Sequence, residues 1–448
     1  MKKLIVLNIV GLTKSVLDSI SLPNISKIFE DGFLASMIPS FPAVTCSVQA
    51  TITSGYSPAE HGIISNGFYD RSTKQVSFWE QSESMVEKPR IWDVLKKKNP
   101  KLKTAVLFWQ NSLYINSDIV VTPKPIHLEN EMVMWCYSKP IDYYEKLVNE
   151  LGQFDLKWYW GPFVSIDSTR WILDAAKLTI TIHEPDLLLV YLPHVDYDAQ
   201  KYGPRSDEFR KSVEDVDKQF ADFIEFLKKS KNDSVYDILV VSEYGFYEVN
   251  KSLSPNLILR NNGLLSTRKI QGKEYLDLEN SAAFAMVDHQ ISHVFIKPGF
   301  EEKVTSIFQN VDGISTILDK RSKKQYHIDH PRSGEIILCS EKNSWFNYYW
   351  WNNEEYAPPF AFTVDIHRKP GYDPLELFLA PNKKGISQDT SLIKGSHGLV
   401  DINDQDSLPI IGSSFKIQNN QELVDINQIV PTIAKFFGLK INTNKSLL

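Results

Sequence analysis

Three apolar runs, at residues 4–10, 185–192 and 236–241, constrain this 448-residue chain more than any other feature. Each is dense in Leu, Ile and Val and lacks the strict alternation of a half-exposed strand, which is the pattern of a parallel strand covered on both faces. Helical stretches at 167–184 and 206–229 precede the second and third runs. Strand and helix alternating at this spacing predict an α/β fold with a doubly wound, mostly parallel sheet.

Shorter signals fill the intervals. Residues 25–31 read as a helix capped by Asn24, residues 45–53 as a short helix, 73–79 as a small hairpin, 91–98 as a helix with a basic last turn, and 104–109 as a further strand. After Gly245 the texture changes: 256–263 reads as a helix stopped by glycine, and 282–296, 304–318 and 335–340 suit a smaller α+β unit. Residues 345–351 are densely aromatic, 361–384 are rich in proline, glycine and charge, and 427–437 form a last helix. The expected division is a core of residues 1–250 and 390–448 interrupted by an inserted cap at 251–389.

Composition narrows the function classes. A formal charge of −6 argues against a dedicated nucleic-acid surface. No run of about 18 apolar residues is available to span a membrane, and the start, Met1-Lys-Lys-Leu-Ile-Val-Leu-Asn-Ile-Val-Gly, reads as a buried first strand. The cysteines are Cys46, Cys136 and Cys339, odd in number and far apart, so a reducing, cytoplasmic compartment is expected.

Chemistry concentrates between Phe41 and Asn66. Pro42 ends an extended segment and a helix starts at or just after Thr45, so a hydroxyl meets a helix N-terminus, where unpaired N–H groups favour an anion. Thr45 is either an N-cap or a nucleophile. His194-Val-Asp-Tyr-Asp-Ala-Gln200 lies just past the second apolar run, Ser242-Glu-Tyr-Gly245 just past the third, and Lys394-Gly-Ser-His-Gly398 is a glycine-flanked histidine loop. The C-terminal ends of the strands are where open α/β sheets place their sites.

In this order the pieces resemble the alkaline phosphatase superfamily, in its type I phosphodiesterase and nucleotide pyrophosphatase branch, over residues 4–250 and 390–440. The most specific parts are the Thr45 loop and His61-Gly-Ile-Ile-Ser-Asn66. The resemblance implies an alkaline phosphatase-like core, a small phosphorylated substrate and divalent cations, usually zinc, flanking the phosphoryl group. It makes Thr45 the nucleophile and gives the Cys46 N–H and the Asn66 amide to a phosphoryl oxygen. Asp196 and His397 would hold a first metal, and Glu243 would stand among the ligands of a second. The chain departs from that pattern at Val10, Gln200 and Tyr244, which replace metal ligands. Asn8 and Gln200 are the available substitutes, and a neutral amide oxygen suits magnesium or manganese better than zinc. One metal is therefore expected rather than two. Three readings follow: hydrolysis with one metal held by Asp196, His397 and either His194 or Gln200; a rearranged site that recruits Asp288 and His289; or a site that binds a phosphorylated ligand without turnover. Tyr244 would donate a hydrogen bond instead of ligating.

Overall fold

The computed structural model describes residues 2–129, 132–229, 236–364, 366–372, 374–381, 385–417, 421–439 and 446–448. The strands that matter here are Lys3–Ile9 (β1), Phe33–Ile38 (β2), Thr104–Leu107 (β3), Ile119–Pro123 (β4), Cys136–Lys139 (β5), Leu187–Leu192 (β6) and Tyr236–Val241 (β7). They continue with Ala283–Asp288 (β8), Ile291–Ile296 (β9), Ile314–Leu318 (β10), Ile336–Ser340 (β11), Ile410–Ser413 (β12) and Leu423–Asp425 (β13). A nine-stranded sheet runs β13-β2-β12-β7-β1-β6-β3-β4-β5. β1 pairs in parallel with both β6 and β7, β6 with β3, β3 with β4, and β2 with β13; β12 and β5 are the antiparallel members.

The three apolar runs occupy adjacent central positions, where a strand is covered on both sides. Leu4, Ile5, Val6, Leu7 and Ile9 of β1 are fully buried, and so are the side chains of Leu187–Val190. Burying one such aliphatic side chain is worth roughly 1.5–3 kcal/mol, so displacing β1 would forfeit the centre of the core. The helices that concern the site are Thr45–Ser54 (α1), Asp167–His183 (α2), Val195–Tyr202 (α3), Asp207–Lys229 (α4) and Ile429–Phe436 (α5). α2 packs on α4, and α5 on α1. No helix among the described residues is long and apolar enough to cross a membrane.

A second, antiparallel sheet, β8-β9-β11-β10, carries its own hydrophobic cluster, which includes Val287, Val294, Leu338, Trp345 and Tyr348. The stretch 282–296 is thus a hairpin, reversing at His289 and Gln290. The expected helix over 25–31 is shorter and earlier, Pro23–Ser26, with Leu22 at its N-cap. Proline suits the first helical turn, and Asn24 is used elsewhere: its backbone N and its Nδ2 (2.7 Å) donate to Asp217 of α4.

Candidate active site

β2 leads through Pro42 into α1, and all ten residues of that helix are buried. Val44 occupies the N-cap position with no side-chain capping bond, so Thr45 is the first helical residue and its hydroxyl is not a cap. Thr45 Oγ1 lies 2.8 Å from the Tyr244 hydroxyl. The other polar side chains of α1 have partners: Ser47 donates to Ile63 O, Thr51 contacts His61 Nε2, and Thr53 accepts from Arg90 Nε. His61 is structural, its second ring nitrogen accepting from Ile63 N at 3.1 Å.

Glu243 follows β7 and is fully buried. Its Oε1 accepts from Asn8 Nδ2 at 2.5 Å and from Gln49 Nε2 at 2.6 Å. Burial pushes the Glu243 carboxyl up to about 8; the Gln49 and Asn8 amides oppose that rise without cancelling it. Asn8 reaches Glu243 because the parallel register sets it beside Val241, at the end of β7.

Asp196 sits in the first turn of α3, and Gln200, one helical turn on, donates from Nε2 to Asp196 Oδ2 at 2.7 Å. The Tyr244 hydroxyl donates to Asp196 Oδ1 at 3.5 Å, and His397 Nε2 lies 3.8 Å from the same oxygen. Burial drives the Asp196 carboxyl up to about 7, against the hydrogen bonds from Gln200 and Tyr244. His397 Nδ1 donates to Ala43 O at 2.8 Å; a carbonyl only accepts, so the neutral ring leaves Nε2 as a bare lone pair. Burial, then His289, holds His397 well below the ordinary histidine value.

The β8–β9 hairpin closes the cluster. Asp288 Oδ2 accepts from Ser65 Oγ (2.6 Å) and Asn66 N (2.8 Å), and Oδ1 from Asn66 Nδ2 (3.0 Å). Asn66 Oδ1 in turn accepts from Cys46 N at 2.9 Å. His289, with φ +59°, has Nδ1 2.7 Å from Asp288 Oδ1 and, among the described residues, no hydrogen-bond partner for the buried Nε2. Its ring centre is 3.8 Å from that of His397 and 4.4 Å from that of Tyr372. A non-glycine residue held in the left-handed region beside reactive groups marks a position fixed by its surroundings.

The structure thus brings together Thr45, Asn66, Asp196, Gln200, Glu243, Tyr244, Asp288, His289, His397 and Asn8. His194 is buried before α3, its Nδ1 without a hydrogen-bond partner among the described residues and its ring pushed down to about 4 by burial. Among the described residues it makes none of the hydrogen bonds that tie the cluster together. Lys369 is buried in an ion pair with Glu376 at 2.6 Å; residues 365 and 373 lie outside the described residues.

The expected ligands form a hydrogen-bonded set that does not fit a two-cation centre. Val10 offers only methyl groups. Asn8 and Gln200 turn their NH2 groups toward Glu243 and Asp196. The Tyr244 ring lies flat on His397, 3.6 Å between centres and 6° between planes, and fills that side of the imidazole. Asp196 and His397 alone are two donors, fewer than the three or four protein ligands of a resident zinc ion. Among the described residues no group of three or more His, Cys, Asp or Glu side chains is arranged to hold an ion.

Three participants escaped sequence reasoning: Gln49, Ser65 and Tyr372. Gln49 carried a signal, since it is four residues from Thr45 and so shares its helical face. Ser65 and Tyr372 carried none, because their roles come from contacts with Asp288 and with His289 across long sequence distances.

A doubly wound sheet with a hydroxyl at a helix start and buried carboxylates and imidazoles at its C-terminal edge defines an alkaline phosphatase-like α/β protein. The chain belongs to the type I phosphodiesterase / nucleotide pyrophosphatase family, whose model matches residues 4–373. The family is typically divalent-metal dependent. An uncharacterised pyrophosphatase/phosphodiesterase of Schizosaccharomyces pombe is 28% identical over 221 residues, 47% of this chain and 37% of that protein. Ectonucleotide pyrophosphatase/phosphodiesterase 2 of Saccharomyces cerevisiae is 26% identical over 234 residues, 50% of this chain and 41% of that protein. The matched segments therefore span about two fifths of the length of these two relatives. Among solved structures, murine ectonucleotide pyrophosphatase/phosphodiesterase 5 superposes with a TM-score of 0.64 at 14% identity, covering 99% of this chain and 98% of that one. Phosphonoacetate hydrolase of Sinorhizobium meliloti gives 0.62 at 13% identity, covering 96% and 94%. At these identities the likeness is one of fold.

Proposed function

We propose that the chain hydrolyses a small phosphoric ester, a phosphodiester or a phosphoanhydride, with Thr45 as the nucleophile. The observation that carries this is the Thr45 hydroxyl at the start of α1, 2.8 Å from the Tyr244 hydroxyl. Family membership supports the reaction class. In the first step Thr45 Oγ1 bonds to phosphorus and the leaving oxygen departs with the electron pair of the P–O bond; water then cleaves the phospho-Thr45 intermediate. The two donors expected for a phosphoryl oxygen are engaged with each other and with Asp288, the Cys46 N–H on Asn66 Oδ1 at 2.9 Å and the Asn66 NH2 on Asp288 Oδ1 at 3.0 Å, so in this reading substrate must displace those contacts to gain their N–H groups. The inserted segment 251–389 supplies Asp288 and His289 at this rim and is the proposed source of substrate selectivity.

Assay of purified protein against bis-p-nitrophenyl phosphate tests the reading. Wild type should turn the substrate over, Thr45→Ala should not, and rapid acid quench should trap a p-nitrophenyl phosphoryl group on Thr45 visible by mass spectrometry. Equal rates in wild type and Thr45→Ala would remove the nucleophile. A second reading, retention of an anionic ligand without turnover, is supported by Asp288, which already engages the Asn66 amide. Calorimetric binding of a nucleotide monophosphate with no hydrolysis would select it.

A further inference from the structure

We infer that the Thr45 hydroxyl is activated through Tyr244 and Asp196, without a cation. This rests on the reading of Thr45 as the nucleophile.

The direction of the hydrogen bonds follows from valence. With Asp196 ionised its carboxylate only accepts, and the single proton of the Tyr244 phenol is then directed to Asp196 Oδ1, 3.5 Å away. The phenol oxygen then has only lone pairs for Thr45, and at 2.8 Å it must be Thr45 that donates. The hydroxyl proton is thereby drawn toward Tyr244, and the remaining lone pairs of Thr45 Oγ1 are free to attack. A contact of 3.5 Å is long for transfer, and such bonds tighten when substrate binds.

Each member is held from outside the relay. The Tyr244 ring stacks on His397, 3.6 Å between centres, and His397 is anchored by Ala43 O at 2.8 Å. Asp196 is turned by Gln200, whose NH2 takes its other oxygen at 2.7 Å. Gln200 Oε1 accepts in turn from the Tyr372 hydroxyl at 3.4 Å. Where a cation would need donors, the chain offers Val10, two amides with their NH2 groups turned inward, and this phenol.

The step balances within these groups. As the Thr45 Oγ1–P bond forms and the P–O bond to the leaving group breaks, the Thr45 proton passes to the Tyr244 oxygen and the Tyr244 proton to Asp196 Oδ1. The leaving oxygen takes the electron pair of the broken bond. When water attacks phospho-Thr45, the P–Oγ1 bond breaks, the relay returns its proton to Thr45, and the proton lost by water leaves with the phosphate product or to solvent. Tyr244 is in this scheme a catalytic residue, since it touches the nucleophile.

The test combines metal content with kinetics on the full chain. Wild type, Tyr244→Phe and Asp196→Asn are dialysed against a chelator, their zinc, manganese and magnesium measured by plasma mass spectrometry, and bis-p-nitrophenyl phosphate hydrolysis followed with chelator or with each metal added back. The inference expects far less than one equivalent of metal and a rate unchanged by chelator. Both variants should lose on the order of 10²-fold or more in kcat, with KM and melting temperature close to wild type. Phe keeps the ring that stacks on His397, and Asn keeps the shape of Asp196, so a purely structural role would leave kcat unmoved. A rate abolished by chelator and restored by one metal overturns the inference, as does a Tyr244→Phe protein with wild-type kcat or a wild type inactive under every condition. If Thr45→Ala keeps its rate, it is the nucleophile reading that fails, whatever Tyr244→Phe does.

Discussion

Glu243→Gln separates electrostatics from packing at the centre of the cluster. Glu243 is fully buried, and its Oε1 accepts from Asn8 and Gln49. Burial raises its carboxyl from the ordinary 4.5 to about 8. Between those two pH values the unfolded chain releases the proton while the folded chain keeps it. The folded state then binds more protons than the unfolded one, and stability falls as pH rises. The stabilisation is complete below pH 4.5 and is lost progressively up to about pH 8. At about 1.4 kcal/mol per pH unit the loss amounts to about 5 kcal/mol. Glutamine keeps the accepting oxygen and the shape but has no such proton, so the variant should escape this loss. A chain of 448 residues unfolds with an entropy of about 0.9 kcal/mol/K near its midpoint. Differential scanning calorimetry from pH 4.5 to pH 9 should therefore show the melting temperature of Glu243→Gln rising relative to wild type by about 5 °C, then holding constant. Any fixed difference in packing cancels from this comparison. Parallel curves across the whole range would refute a buried, neutral Glu243.

Two further substitutions address the frame of the site. An ideal Cβ at Gly395 would lie 2.1 Å from Ala199 O, on the turn of α3 between Asp196 and Gln200. Gly395→Ala should therefore cost about 1–3 kcal/mol and lower hydrolysis by moving His397 off Asp196; a thermal melt and rate equal to wild type would contradict the packing. Asp288→Ala removes the acceptor for Ser65 Oγ, Asn66 N, Asn66 Nδ2 and His289 Nδ1 in a buried setting. It should lower the melting temperature by several degrees, on the order of 3–5 kcal/mol, and an unchanged melt would show that these groups find water instead.

Much of the framework was legible because environment leaves a local imprint. A strand covered on both faces must be largely apolar, and β1, β6 and β7 are, apart from Lys3 and Asn8 in β1 and Asp237 in β7. A helix start was readable at Thr45 from Pro42 and the unbroken stretch after it, although its role as an N-cap was not borne out, since Val44 takes that position. The segment 25–31 misled, because Pro23 starts the helix earlier and Asn24 serves Asp217. The resemblance pointed to the two amide substitutes, Gln200 at a ligand position and Asn8 two residues before Val10 on the same strand face, but the way each amide turns depends on the group it meets.

What the chain determined locally is the layered α/β framework and the delivery of Thr45, Asp196, Glu243 and His397 to the ends of their strands and helices, for burial and helical spacing act over a few residues. Tertiary structure alone decided which groups meet: Thr45 and Tyr244 are 199 residues apart, and Ser65 and Asp288 are 223 apart. Hydrogen-bond direction and ring stacking are set by partners that arrive only once both sheets have packed, so the phenol lying flat on His397 could not be read from any stretch of sequence.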